Sequence, residues 1–220
     1  MSNVTKGIKL YYERFGTGDP LIMIHGNGEN HEIFLEAIEI LKKKFTVYAI
    51  DLRGHGRSSK VMEFHYQDMA NDIYEFIQLK KIQKPIFYGF SDGGILGLLL
   101  ASKYPDLFDS LIISGANINP CGIKKRWYYL FQMIYFFNKD PKFKMMLMEP
   151  NILESDLEKI QVNTLVLAGQ NDMIREEHTK FIAETIPNSK LKILKAQTHG
   201  NYIVHSKKIA YIILDYITKL

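Results

Sequence analysis

Residues 88–94 read YGFSDGG and lie between an apolar strand-like run, Pro85 to Tyr88, and an apolar helix-like run, Ile95 to Ala101. Within them Gly89, Ser91 and Gly93 form a G-x-S-x-G pattern. A strand that reverses abruptly into a helix must hold one residue in a strained backbone conformation. The positions two residues either side then have little or no room for a side chain. The apex residue is Ser91. Its hydroxyl is expected to stand clear of the backbone, and the amide of Asp92, at the start of the following helix, to point toward any oxygen that becomes negative there.

The rest of the chain supplies the frame such a turn needs. Ile8 to Phe15 reads as a first strand, closed by the turn residues Gly16 to Pro20. Leu21 to Ile24 is wholly apolar, as in a strand covered on both faces, and ends at His25, Gly26, Asn27 and Gly28. Asn30 is placed to cap a helix with Ile33, Phe34, Ala37, Ile38 and Leu41 on one face. Strand Phe45 to Ile50 leads into the loop DLRGHGRS, Asp51 to Ser58. A helix through Met69, Ile73, Phe76 and Ile77 follows. Beyond the elbow, strands are expected at Leu111 to Ser114, Thr164 to Ala168 and Leu191 to Leu194. A helix is expected from about Glu176 to Ile186, and a terminal one with Ile209, Ile212, Ile213, Tyr216, Ile217 and Leu220 inward.

Strands alternating with helices predict a doubly wound, mostly parallel α/β sheet, whose ligands bind outside the carboxyl ends of the strands. With 220 residues and no linker-like or low-complexity stretch, the chain reads as one domain spanning 1–220. Residues 118–150 break the alternation with a segment dense in aromatic residues and methionine. They read as a short helical cap across the mouth of the site, with Trp127, Phe131 and Met145 as expected walls of a substrate pocket. Lys124, Lys125 and Arg126 flank the same helix, so a cap resting on a lipid surface is the alternative reading of this stretch.

Lysine and arginine total 28 against 24 acidic residues, a net charge of +4 spread over both halves, which argues against nucleic-acid binding. One cysteine, Cys121, permits no intrachain disulfide and no thiolate metal cluster. His31-Glu32 lacks metal-ligand spacing, and GHGRSSK lacks the spacing of a phosphate loop, so neither a metal nor a cofactor is expected. The N-terminal stretch has no basic-then-apolar secretory pattern and no apolar run is long enough to span a bilayer, so a cytoplasmic protein is expected.

A serine hydroxyl needs a base within hydrogen-bond reach and a third group to orient that base. Among seven histidines, His199 is the strongest candidate because it follows the last strand in the loop THGN; His178 and His205 are the alternatives. Asp172 follows the strand before it, in GQND. The order Ser91, Asp172, His199 is that expected when a G-x-S-x-G elbow heads the set. His25 and Asp51 read as loop-holding residues and Arg53 as one half of a buried ion pair.

Taken together, HGNG at His25, DLRGHGRS at Asp51, GFSDGG at Gly89, GQND ending at Asp172 and THG around His199 resemble the α/β-hydrolase superfamily over essentially the full length. The resemblance implies Ser91 as nucleophile, His199 as general base and acid, Asp172 as orienting carboxylate, and the backbone amides of Asn27 and Asp92 as oxyanion hole. It argues against the haloalkane dehalogenase branch, which needs aspartate where Ser91 stands. Some branches carry the acid after the strand that follows the elbow; Asn117 occupies that region here. The implied activity is hydrolysis of small-molecule carboxylic esters with apolar acyl groups through an acyl-enzyme. The same machinery also serves amide, thioester, lysophospholipid or carbon–carbon cleavage and acyl transfer, and a non-catalytic binding protein of the same fold is the remaining alternative.

Overall fold

The computed structural model of the chain describes residues 2–5 and 7–220. Met1 and Lys6, part of the N-terminal stretch read above for a secretory signal, lie outside these. Eight strands form one sheet: β1 (Ser2–Thr5), β2 (Ile8–Phe15), β3 (Asp19–Ile24), β4 (Phe45–Ile50), β5 (Ile86–Phe90), β6 (Ser110–Ser114), β7 (Asn163–Asn171) and β8 (Ser189–Thr198). Their spatial order is β1-β2-β4-β3-β5-β6-β7-β8. β1 and β2 form an antiparallel hairpin, and β2 runs antiparallel to β4. All later pairings are parallel. The hairpin strand β1 left no mark in the apolar pattern, because SNVT is short and lacks the apolar alternation of a half-buried strand.

Side chains alternate across the sheet with period two, and the two sets feed two cores. Leu21, Met23, Val47, Ala49, Tyr88 and Leu167 meet Phe34, Ala37, Ile38 and Leu41 from the first helical segment and Ile209, Ala210, Ile213 and Tyr216 from the last. That first segment is a 3-10 turn, His31–Phe34, continuing as α1 (Leu35–Leu41) and capped by the Asn30 side chain, which accepts from the amide of Glu32. On the opposite face Ile22, Ile24, Ile50, Phe87, Leu111, Ile113 and Val166 pack against α2 (Tyr66–Leu79), α3 (Asp92–Lys103) and α7 (Glu176–Thr185). The terminal helix α8 (Lys208–Ile217) buries Ile209, Ala210, Ile213 and Tyr216. Leu220, expected on that inner face, lies beyond the helix end and is exposed.

Between β6 and β7 the chain forms α4 (Lys125–Asn138), α5 (Pro141–Met148) and the single turn α6 (Glu154–Leu157). Lys139 adopts a left-handed conformation that ends α4. Asp140 then caps α5 by accepting from the Lys142 amide, with Pro141 in the first turn where its missing N–H costs nothing. The entry to α4 is tied to the loop after β7 by an isolated bridge between Ile123 and Ile174.

The connection from β4 crosses to β5 on the far side of β3, so the order of strands reverses between β3 and β5. Such a reversal leaves a crevice at the carboxyl ends of the two strands. The loops holding Gly26 and Ser91 flank it.

Candidate active site

Ser91 has φ 52° and ψ −111°, the strained conformation that the elbow requires. Both flanking glycines are enforced by close approach. A Cβ on Gly89 would lie 2.1 Å from the carbonyl oxygen of Gly93, and one on Gly93 would lie 2.3 Å from that of Ile24. The turn is held from both neighbouring strands. The Ser91 amide donates to the carbonyl of Ser114, the last residue of β6 (2.7 Å), and the Gly93 amide donates to the His25 carbonyl just after β3 (3.2 Å). Asp92 opens α3, so its amide is among those a helix leaves without an intrahelical acceptor.

Asp172 and His199 emerge from the carboxyl ends of β7 and β8 and meet there. Nδ1 of His199 lies 2.6 Å from Oδ1 of Asp172. The same carboxylate accepts from the amides of Ile174 (2.9 Å) and Gly169 (3.4 Å). Burial alone would raise the Asp172 pKa, but the His199 charge and hydrogen bond and the two amides together hold it below the usual carboxylate value. The imidazole packs on the ring of Phe90, with centroids 5.0 Å apart, and it faces Gly115 from the loop after β6.

Ser91 and His199 line one cavity of about 220 Å³ together with Gly26, Asn27, Glu29 and Phe90 below and Phe131, Phe143, Met146 and Met173 above. Of the expected wall residues, Phe131 is present. Trp127 packs behind it, centroids 6.3 Å apart, and is not in the lining. Met145 is buried in the main core beneath the cap, and its neighbour Met146 takes the cavity position. On a short helix, adjacent residues project about 100° apart, so an error of one position exchanges core for cavity.

The surrounding loops explain the other motif residues. His25 is buried, with Nδ1 2.7 Å from the Gly26 carbonyl and Nε2 accepting from the Leu52 amide (3.0 Å). Burial pushes its pKa down to about 3, so it acts as a neutral strut between the loops after β3 and β4. Asp51 accepts from the amide and Nδ1 of His31 and from the amide of Arg57. Gly56 closes over it, since a Cβ there would lie 2.1 Å from the carboxylate. Arg53 makes a two-pronged pair with the buried Asp72, at 2.6 and 2.7 Å. His178, an alternative base, is turned away from the cavity. Its Nε2 accepts from the Ile118 amide, and burial lowers its pKa to about 4. His205, the other alternative, is exposed and precedes α8.

Three residues at the site carry no motif signal. Glu29 places a half-buried carboxylate in the cavity wall, where it accepts from the Gly26 amide and burial raises its pKa. Tyr66, at the start of α2, donates to Asp92 (2.8 Å) beneath the elbow. Lys124 donates through Nζ to the backbone carbonyl of Asp172 (2.6 Å). Among the described residues, no cluster of histidine, cysteine and carboxylate side chains has the arrangement of a metal site, and no helix is long and apolar enough to cross a membrane.

A model of the alpha/beta hydrolase fold family matches residues 19–140, more than half of the chain. The chain belongs to the alpha/beta hydrolase fold family. It is accordingly a hydrolase of this fold, similar to the serine hydrolase BPHL of Homo sapiens (28% identical, covering 90% of this chain and 79% of that protein). The AB hydrolase superfamily protein YisY of Bacillus subtilis is 26% identical, over 95% of both chains. Among solved structures, the esterase EaEST from Exiguobacterium antarcticum superposes with a TM-score of 0.84 at 22% identity, over 96% of each chain. A thermophilic esterase from Thermogutta terrifontis superposes with a TM-score of 0.80 at 22% identity, over 99% of this chain and 96% of that one.

Proposed function

We propose that this hydrolase cleaves small-molecule carboxylic esters through an acyl-enzyme formed on Ser91. The observation that carries the reading is the pairing of His199 with Asp172 at 2.6 Å on the wall of the cavity that Ser91 also lines. With Nδ1 committed to the carboxylate, Nε2 is the nitrogen left to take the Ser91 proton as Oγ attacks the ester carbonyl. The resulting tetrahedral oxyanion is received by the backbone amides of Asn27 and Asp92. Collapse of the intermediate expels the alkoxide, which leaves as the alcohol with the proton from Nε2. Water, deprotonated by the same nitrogen, then hydrolyses the acyl-serine and regenerates Ser91. Asp172 orients the imidazole and offsets its positive charge while the proton resides there.

The acyl group faces Phe131, Phe143, Met146 and Met173. A cavity of about 220 Å³ falls below the roughly 300–1,000 Å³ typical of drug-sized ligands, which favours small apolar acyl groups. No bound cofactor takes part in this scheme.

A fluorophosphonate probe and a short-chain chromogenic ester test the reading together. Wild type is expected to label at Ser91 and to turn the ester over. Ser91→Ala is expected to lose the label and about a million-fold in turnover. Turnover retained by Ser91→Ala would exclude the serine mechanism.

A further inference from the structure

Helix α4 is apolar on two opposite faces. One face, Trp127, Tyr128, Phe131 and Ile134, packs with Phe143, Met146 and Leu147 of α5, and Phe131 reaches the cavity. The opposite face follows the spacing 126, 129, 130, 133, 136, 137, and after Arg126 it presents Tyr129, Leu130, Met133, Phe136 and Phe137 to solvent. Phe136 is 67% exposed and Phe137 78%, and on α5 Met148 is 69% exposed. A helix lying on a globular body ordinarily turns a polar face outward.

The charge of this segment is as lopsided as its hydrophobicity. Residues 124–148 contain six cations against Asp140 alone, a net +5 in a chain of +4. Lys124 is held by the Asp172 carbonyl and Lys142 by Asp140 and the Phe64 ring, which leaves Lys125, Arg126, Lys139 and Lys144 for the outer side. Arg126 lies over the ring of Trp127 and Lys139 over that of Phe136, at 5.6 and 4.9 Å. Cations are thereby held at the border of the apolar stripe. Phe136, Lys139, Lys144 and Met148 line one shallow groove between the two helices. Large apolar side chains ringed by lysine and arginine suit the boundary between anionic headgroups and acyl chains, where rings sink and the cations remain at the phosphates.

We propose that the outer face of α4, with the adjoining end of α5, docks on an anionic phospholipid surface. The inner sides of the same two helices supply Phe131, Phe143 and Met146 to the cavity, so docking sets the cavity against the membrane with only the cap between. The proposal concerns this outer face alone and stands apart from the reaction assigned to Ser91.

Co-sedimentation of the full chain tests it, with vesicles of phosphatidylcholine alone and of equal parts phosphatidylcholine and phosphatidylglycerol. Wild type is expected in the pellet with the mixed vesicles and in the supernatant with phosphatidylcholine alone. Phe136→Ser combined with Phe137→Ser changes only exposed positions, so it should keep the wild-type melting temperature while partitioning falls by more than about tenfold. Lys125→Gln, Lys139→Gln and Lys144→Gln together should lower it about a hundredfold, at about fivefold per cation. Wild type remaining in the supernatant with both vesicles would overturn the proposal. So would equal binding to both vesicles, or a lipid-free dimer that Phe136→Ser with Phe137→Ser converts to monomer, which would assign the face to a second copy of the chain.

Discussion

A Cβ placed on Gly115 would lie 2.6 Å from Cε1 of His199 and 2.8 Å from its Nδ1. The imidazole is therefore located by an absent side chain as much as by the carboxylate that holds it. Gly115 also has φ 62°, in the left-handed region that a side chain disfavours. Gly115→Ala is expected to lower kcat about a hundredfold, the scale associated with a 1 Å misplacement of a catalytic group. KM should change little, because Gly115 is not in the cavity lining. Steady-state kinetics on a short-chain ester provide the check, and unchanged kcat would remove Gly115 from this role.

Asp172→Asn should be separable from a folding defect by its pH dependence. The wild-type carboxylate has a pKa below its ordinary 3.8, so the stability it contributes is fully present above that value and is lost as pH falls below it. The melting temperature of Asp172→Asn is expected to lie below wild type at neutral pH and to converge on it as acid takes the pH below 3.8 and through the lowered pKa. Turnover at neutral pH should fall about ten-thousand-fold, as when the orienting acid of such a triad is neutralised. Parallel melting curves at all pH values would show that the pair contributes no net stability.

Asp92 has the opposite sign. Burial raises its pKa from 3.8 to about 6, with the Tyr66 hydroxyl opposing that only in part. The folded state thus holds this proton more tightly than the unfolded chain, and stability falls as pH rises from about 4 to 6, by about 3 kcal/mol in all. Asp92→Asn removes the buried charge. Its melting temperature should exceed wild type by roughly 6–12 °C above pH 6 and by little near pH 4. Differential scanning calorimetry across that range reads the effect, and an advantage independent of pH would refute it.

The cavity wall can be tested by exchanging neighbours. Phe131→Ala and Met146→Ala should extend the range of accepted acyl chains, since both side chains line the cavity. Trp127→Ala should leave acyl preference unchanged. Met145→Ala should instead cost about 2–5 kcal/mol of stability, because Met145 is 2% exposed within the core. A ladder of ester chain lengths, with thermal melts of each variant, distinguishes the three outcomes.

Gly89→Ala addresses the elbow itself. The added methyl would stand 2.1 Å from a backbone oxygen and has no flexible neighbour to displace. A loss of more than about 3 kcal/mol in stability is expected, measured by urea unfolding.

The parts of the site legible in the sequence are those where backbone geometry dictates residue type. Gly89 and Gly93 are required by contacts of 2.1 and 2.3 Å, and Arg53 finds Asp72 because a buried carboxylate needs a cation. The strands were legible because Leu21 to Ile24 and Leu111 to Ser114 are covered on both faces and hence continuously apolar. The cap was less so. An apolar helix on a body gives no period by which to tell Met145 from Met146, and α4, apolar on both sides, gives none by which to tell inside from outside. Tyr66 acts through a bond to Asp92 that spans 26 positions, and no local pattern announces such a contact.

Lys124 is the last residue before α4, and its side chain grips the carbonyl of Asp172 while its amide donates to that of Met173. With the Ile123–Ile174 bridge and the Arg175 amide bonded to the Gly122 carbonyl, the roof of the pocket and the loop bearing the carboxylate are joined along a continuous seam. Grafting a different roof onto this body would disturb the charge relationship at its centre unless the graft began with the same lysine, so the insertion is no interchangeable module. The lysine that opens its long helix belongs, mechanically, to the loop that carries the acid.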